Sequence, residues 1–126
     1  MENKLTIGIE GKIEQFVTKD DTAAKYGSGL VEVFATPAMI ALMEKTCLTS
    51  VLDYLNEGFN TVGTEVNIKH LKATPVGKKV ICNSVLKNIE GKKLTFSVEA
   101  FDEDGKIGEG THTRYLIDVK KFMEKL

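Results

Sequence analysis

Cysteine is scarce in this chain, with only Cys47 and Cys82 among 126 residues. They lie far apart, and neither has His or Cys neighbours at metal-ligand spacing, which argues against a disulfide framework and a zinc site. Each falls on an apolar pattern, one helical and one strand-like, so both read as small core residues. An excess of one charge is also missing: 17 Lys and Arg face 18 Asp and Glu, a formal net charge of −1. No long-range field favours nucleic acid or an anionic membrane, although a local basic cluster around a phosphate-bearing ligand remains open. No apolar run approaches 18 residues, and the leading MENKLTIGIEGK is polar and alternating, unlike a secretory segment. The expected location is cytoplasmic. Repeats and low-complexity tracts are absent too.

What remains is an ordinary soluble composition, with 42% hydrophobic and 28% charged residues. The length suits a single domain over residues 1–126 with a core that needs no staples. Residues 5–17 alternate loosely around Leu5, Ile7, Ile9 and Ile13, a strand interrupted by Gly8 and Gly11. Residues 18–29 are polar and end in GSG, which predicts a loop or a short helical turn. A short apolar stretch, LVEVFA, then leads into Thr36-Pro37, where Thr as N-cap and Pro at the first helical position predict a helix start. That helix is expected to run to about Asn56, with Gly58 as its stop.

Strands follow. Residues 61–73 alternate, with Val62, Val66, Ile68 and His70 on one parity. Residues 79–87, 93–101 and 107–119 supply three more strands, separated by turns at 88–91 and at Asp102-Glu103-Asp104-Gly105. The third of the four places Leu94, Phe96, Val98 and Ala100 on one face, and Phe122 and Met123 can anchor a short terminal helix. One long helix followed by an antiparallel meander predicts an α+β fold with the sheet wrapped over the helix. Exposed sheet edges favour a dimer.

The chemistry centres on Glu44. Ile40, Glu44, Cys47, Val51 and Leu55 share a narrow helical arc, and four of the five are apolar. A carboxylate in a buried stripe costs several kcal/mol unless it is paired, hydrated or kept protonated. The bland alternative is a Glu at the stripe's end that reaches water. Thr36 lies two turns earlier, about 12 Å along the axis, where helix-start N–H groups favour negative charge. His70 occupies the apolar parity of its strand and can move protons near neutral pH. Singly, Thr36 reads as a cap and His70 as a structural histidine. Together, a hydroxyl, a carboxylate and an imidazole are the inventory of an acyl-transfer or hydrolysis site. His112 and Arg114 share a parity with Gly110 on the last strand, and Arg114 suits a phosphate or acyl group as well as a solvated face. The two Gly-x-Gly segments lack a phosphate loop's context, and the Asp-rich turn lacks a calcium loop's ligands.

The order Val33-Phe34-Ala35-Thr36, Leu42-Met43-Glu44, Gly63-Thr64, His70, Ala73-Thr74-Pro75, Gly77 and Gly108-Glu109-Gly110-Thr111-His112-Thr113-Arg114 resembles the hot-dog-fold thioesterases related to fluoroacetyl-CoA thioesterase. It extends from about residue 30 to the carboxyl terminus. The resemblance implies a hot-dog fold, a homodimer, and acyl-CoA sites near the dimer interface. It also implies a catalytic Thr36, Glu44 and His70, with Gly63 and Arg114 at the substrate. Neither metal nor cofactor is expected, the CoA thioester being the substrate. One departure stands out. The fluoroacetyl-specific enzyme carries lid-forming phenylalanines before the Val-Phe-Ala-Thr motif, whereas residues 27–32 here read GSGLVE. The aromatic lid is absent, so a broader or different acyl preference is expected.

The expected reaction is hydrolysis of a short or small acyl-CoA, with Glu44 either as nucleophile or as general base on water. Two other classes fit the same fold: a non-catalytic acyl-CoA or acyl-carrier binding module, and a dehydratase acting on 3-hydroxyacyl thioesters. Dehydratases that pair His with a helix carboxylate generally place the His before the helix, the reverse of Glu44 and His70.

Overall fold

Strand β1 (Glu10–Phe16) opens the domain, and the central helix α2 (Thr36–Leu52) follows after a 3₁₀ turn (Lys19–Asp21) and the one-turn helix α1 (Ala23–Tyr26). Four long strands come next: β2 (Phe59–His70), β3 (Lys79–Glu90), β4 (Lys93–Asp102) and β5 (Gly105–Asp118), before the short helix α3 (Val119–Glu124). These elements come from a computed structural model that describes residues 3–126. All pairings are antiparallel, in the order β1-β3-β4-β5-β2.

The fold is α+β, as the alternation predicts, but the strand order is not a simple meander. β2 pairs with β5 at the far edge instead of lying beside β3. The chain therefore crosses from one edge to the other side of the sheet between β2 and β3.

Helix α2 lies on the concave face and buries Ala38, Met39, Leu42, Met43, Thr46, Cys47 and Val51. Facing it are Val80, Cys82 and Leu86 of β3, Leu94, Phe96, Val98 and Ala100 of β4, and Ile107 of β5. The β4 face is the one its alternation predicts. Each fully buried Leu, Met, Phe or Val contributes roughly 1.5–3 kcal/mol. That outweighs a side-chain N-cap, worth about 1 kcal/mol, which the helix does without. Its N-cap is Ala35, and Thr36 is the first helical residue. The expected Thr36 cap is thus corrected: its hydroxyl is turned to another partner. The helix also stops at Leu52, and the expected residues up to Asn56 form turns, Tyr54 N–H bonding to the Val51 carbonyl.

Other boundaries moved for local reasons. The first strand begins at Glu10 because Gly8 sits in a turn at φ 104°. Gly11 stays in β1 because a Cβ there would lie 2.5 Å from Ser84 Oγ and 2.8 Å from the Thr46 carbonyl, so its absence lets β1 approach the helix. In the terminal helix Phe122 is half-buried, but Met123 is exposed and anchors nothing.

The largest difference is in β2. A bulge between Gly63 and Glu65 shifts its register against β5, and an extra residue in one strand reverses the side-chain parity across it. Gly63 pairs with Arg114 and Val66 with His112, whereas Val62 pairs with the half-exposed Tyr115. Val62 therefore does not share a face with Val66, Ile68 and His70, as unbroken alternation predicts.

Candidate active site

Two groups of polar side chains lie between α2 and the β2–β5 end of the sheet. The first joins the helix start to the end of β2: Thr36 Oγ1 is 2.8 Å from His70 Nδ1. Both line a cleft of about 430 Å³, with Phe34, Ala35 and Ala73 among its walls. His70 Nε2 is buried and has no hydrogen-bond partner among the described residues. Such an orphan is uncommon in a folded interior. Burial lowers the His70 pKa from its ordinary value, with the nearby Lys72 backbone carbonyl acting the other way. A neutral imidazole at neutral pH, able to give or take a proton, is the consequence.

The second group surrounds Glu44. Its Oε2 lies 4.0 Å from Arg114 Nη1. A Cβ added at Gly63 would meet that same Oε2 at 2.9 Å, His112 Cε1 at 3.1 Å and Arg114 Nη1 at 3.3 Å. Gly63 is thus the point where a carboxylate, an imidazole and a guanidinium converge, and the missing side chain leaves the gap between them. Its importance is steric, since its φ lies outside the positive range.

Glu44 is not the buried acid that the helix arc predicts. Its side chain is 41% exposed. The buried face of α2 centres on Met39, Met43, Thr46 and Cys47, and one residue beyond Met43 turns the chain about 100° around the axis. Glu44 therefore emerges at the edge of the packed face. Paired with Arg114 and partly hydrated, it carries none of the full burial penalty. An ion pair this open contributes at most ~1 kcal/mol to stability. Glu44 makes no hydrogen bond to Thr36 or His70, so the three expected residues form one pair and one separate carboxylate on the same side of the sheet.

Arg114 is 6% exposed and His112 1%. Arg114 is no solvated surface charge, then; it borders the Gly63 gap beside Glu44. His112 was marked in the sequence by its parity with Arg114 and by its place in the motif Gly108–Arg114, with no role assigned to it. The alternation carried that signal, but nothing in it distinguished a site imidazole from a core one. The cysteines, by contrast, are spectators: burial pushes the Cys47 thiol up to about 12 and the Cys82 thiol to about 11.

Comparison with known proteins settles the lineage. Residues 17–120 match the model of the fluoroacetyl-CoA-specific thioesterase family. The chain belongs to that family. It is 40% identical over 95 residues to the fluoroacetyl-CoA thioesterase of Streptantibioticus cattleyicolor, covering 75% of this chain and 68% of that protein. A solved structure of fluoroacetyl-CoA thioesterase superimposes with a TM-score of 0.90 at 33% identity, over 96% of this chain and 94% of that one. A thioesterase-superfamily protein from Thermus thermophilus gives 0.88 at 29% identity, over 95% and 89% of the two chains. A hot-dog-like protein from Thermanaerovibrio acidaminovorans, 21% identical, gives 0.88 over 96% and 90% and supports the fold alone. The architecture is therefore the hot-dog fold of this thioesterase family. No helix among the described residues is long and apolar enough to cross a membrane.

Proposed function

We propose that this protein is an acyl-CoA thioesterase, cleaving a small acyl thioester to free acid and CoA at a site formed by Thr36, Glu44 and His70. The observation that carries this reading is the Glu44 carboxylate, held at the mouth of the gap left by Gly63 with Arg114 beside it. A half-exposed carboxylate of this kind can reach both a substrate and a water molecule.

Two routes use it. In one, Glu44 attacks the acyl carbon, the C–S bond breaks, and water then hydrolyses the mixed anhydride. In the other, Glu44 takes a proton from water as that water attacks. Both develop negative charge on the acyl oxygen, which the helix-start N–H groups near Thr36 would stabilise. Both release a thiolate, and the unpartnered Nε2 of His70 is the proton donor best placed for it. Thr36 orients that ring through Nδ1. Neither a metal nor a cofactor enters the scheme, because CoA is itself a good leaving group.

The acyl preference we infer is small but broader than fluoroacetate. Residues 27–32, ahead of the Val-Phe-Ala-Thr motif, hold no phenylalanine to cover the cleft, and Leu30 there is 98% exposed. We also infer a homodimer formed at the β2 edge, in the cytoplasm, with the acyl-CoA site near the interface.

The test is a panel of acyl-CoAs of increasing chain length incubated with the purified protein and a thiol reagent. Release of free CoA from the short members is expected. Recovery of every thioester intact would sink the hydrolase reading and leave a binding module.

A further inference from the structure

Arg114 is tethered on three sides. Its Nε donates to Thr61 Oγ1 at 2.7 Å, its Nη2 donates to the Thr61 carbonyl at 2.9 Å, and its Nη1 lies 3.0 Å from His112 Nε2. A guanidinium has five N–H groups and no acceptor. Three are used here, leaving one on Nη2 and one on Nη1, the nitrogen that borders Gly63 and Glu44.

His112 is held just as firmly. Its Nδ1 lies 2.8 Å from the Glu65 backbone carbonyl, next to the bulge where the β2–β5 register shifts. A carbonyl only accepts, so the proton sits on Nδ1. A guanidinium only donates, so Nε2 is bare. Both neighbours select the same tautomer. A second proton, on Nε2, would point at the guanidinium. Burial and the Arg114 charge both lower the His112 pKa, against opposing contributions from the Glu65 carbonyl and from Glu44.

We propose that His112 is a positioning residue of the thioester site: as a neutral Nδ1–H imidazole it fixes Arg114 Nη1, whose remaining N–H is aimed into the Gly63 gap toward the acyl group. This rests on the thioesterase reading. Without the Nε2 acceptor, Nη1 would keep no protein partner except the open Glu44 pair, and the planar guanidinium would be held from the Thr61 side alone.

Long-range ¹H–¹⁵N spectra of the wild-type imidazoles test the first half without any substrate. The expected pattern at pH 7 is a neutral ring protonated on Nδ1; an Nε2–H tautomer or an imidazolium overturns the proposal. Kinetics on the best acyl-CoA of the panel test the second half. His112→Phe keeps the ring's bulk without its acceptor, and kcat should fall roughly tenfold while KM changes little, as expected for a contact used mainly in the transition state. His112→Gln restores an acceptor and should recover most of that loss. In an Arg114→Lys background, His112→Phe should cost little more. Equal losses in the Phe and Gln variants, or an undiminished loss in the Lys background, overturn the proposal. Should the Phe variant fail to fold, the spectra and the Gln variant still decide. An inactive wild type counts against the thioesterase reading and not against the tautomer.

Discussion

The Thr36 hydroxyl and the His70 imidazole meet at 2.8 Å across the gap between the start of α2 and the end of β2. That bond explains why Thr36 fails to cap its own helix. It also fixes one face of the His70 ring while the other nitrogen stays buried and unpaired.

Removing the hydroxyl tests this arrangement. Thr36 is exposed, so Thr36→Val should change stability by no more than about 0.5 kcal/mol. Turnover should fall by roughly a factor of ten or more, because His70 loses its orienting bond. Thr36→Ser keeps the oxygen and should stay near wild type. Initial rates of CoA release measure both; equal losses in Val and Ser would contradict the role.

Glu44→Gln preserves shape and removes the basic carboxylate. Turnover should drop at least ~100-fold, the lower end for acid–base catalysis. The melting temperature should hardly move, since the ion pair that is lost is an open one. A variant that hydrolyses at near-wild-type rates excludes Glu44 from the chemistry.

Much of this site was legible in the sequence because strands and helices have fixed periods. Alternation placed His112 and Arg114 on one face of β5 and the β4 residues in the core. The Thr-Pro pair gave the helix start to within one residue. Most of what failed had one cause: periodic reading assumes unbroken periods and equal cover on every face. The bulge after Gly63 moved Val62 to the opposite face from Val66, and no residue type announced it. The arc through Glu44 was apolar on both sides, yet Glu44 lies where the packed face of α2 ends, so composition alone overstated its burial. Pairings across the sheet, such as β2 with β5, are not encoded in local pattern at all.

Gly63→Ala tests the gap itself. The added Cβ would sit 2.9 Å from Glu44 Oε2 and 3.3 Å from Arg114 Nη1. Glu44 is a flexible, half-exposed side chain and can swing away, so the fold should survive. The catalytic geometry should not, and kcat/KM should fall by about 100-fold, as displacements of around 1 Å can cost. A folded, fully active Ala variant would remove Gly63 from the site.

Acid and base should destabilise the protein for different reasons. Burial lowers the pKa of His70 and His112 in the folded state, so the unfolded chain binds more protons as pH falls below about 6.5. Their contribution is complete above that value and is lost progressively on acidification. Cys47 and Cys82 behave oppositely: folded, they hold their protons to about 12 and about 11, against an ordinary 9.0. The unfolded chain releases them earlier, so stability falls as pH rises through 9. Thermal melts should peak between those limits, and a melting temperature still climbing above pH 9 would contradict the buried thiols.

The two sheet edges differ in a way that favours β2 as the contact of the proposed dimer. β1 is seven residues long and exposes Glu10, Lys12 and Glu14, charges that discourage pairing. β2 is twelve residues long, contains no proline, and leaves Val66 39% exposed although it lies on the same face as the buried His112. An uncovered apolar residue on an inner face, beside a long open edge, fits a second copy paired along β2. Val66→Lys introduces a charge where the monomer is already open, so the fold should tolerate it while the dimer does not. Light scattering after size exclusion should show wild type at dimer mass and the variant at monomer mass. Activity should fall with it, since the same strand ends in His70 and its cleft. A wild-type monomer, or a monomeric variant with full turnover, would separate the site from any dimer.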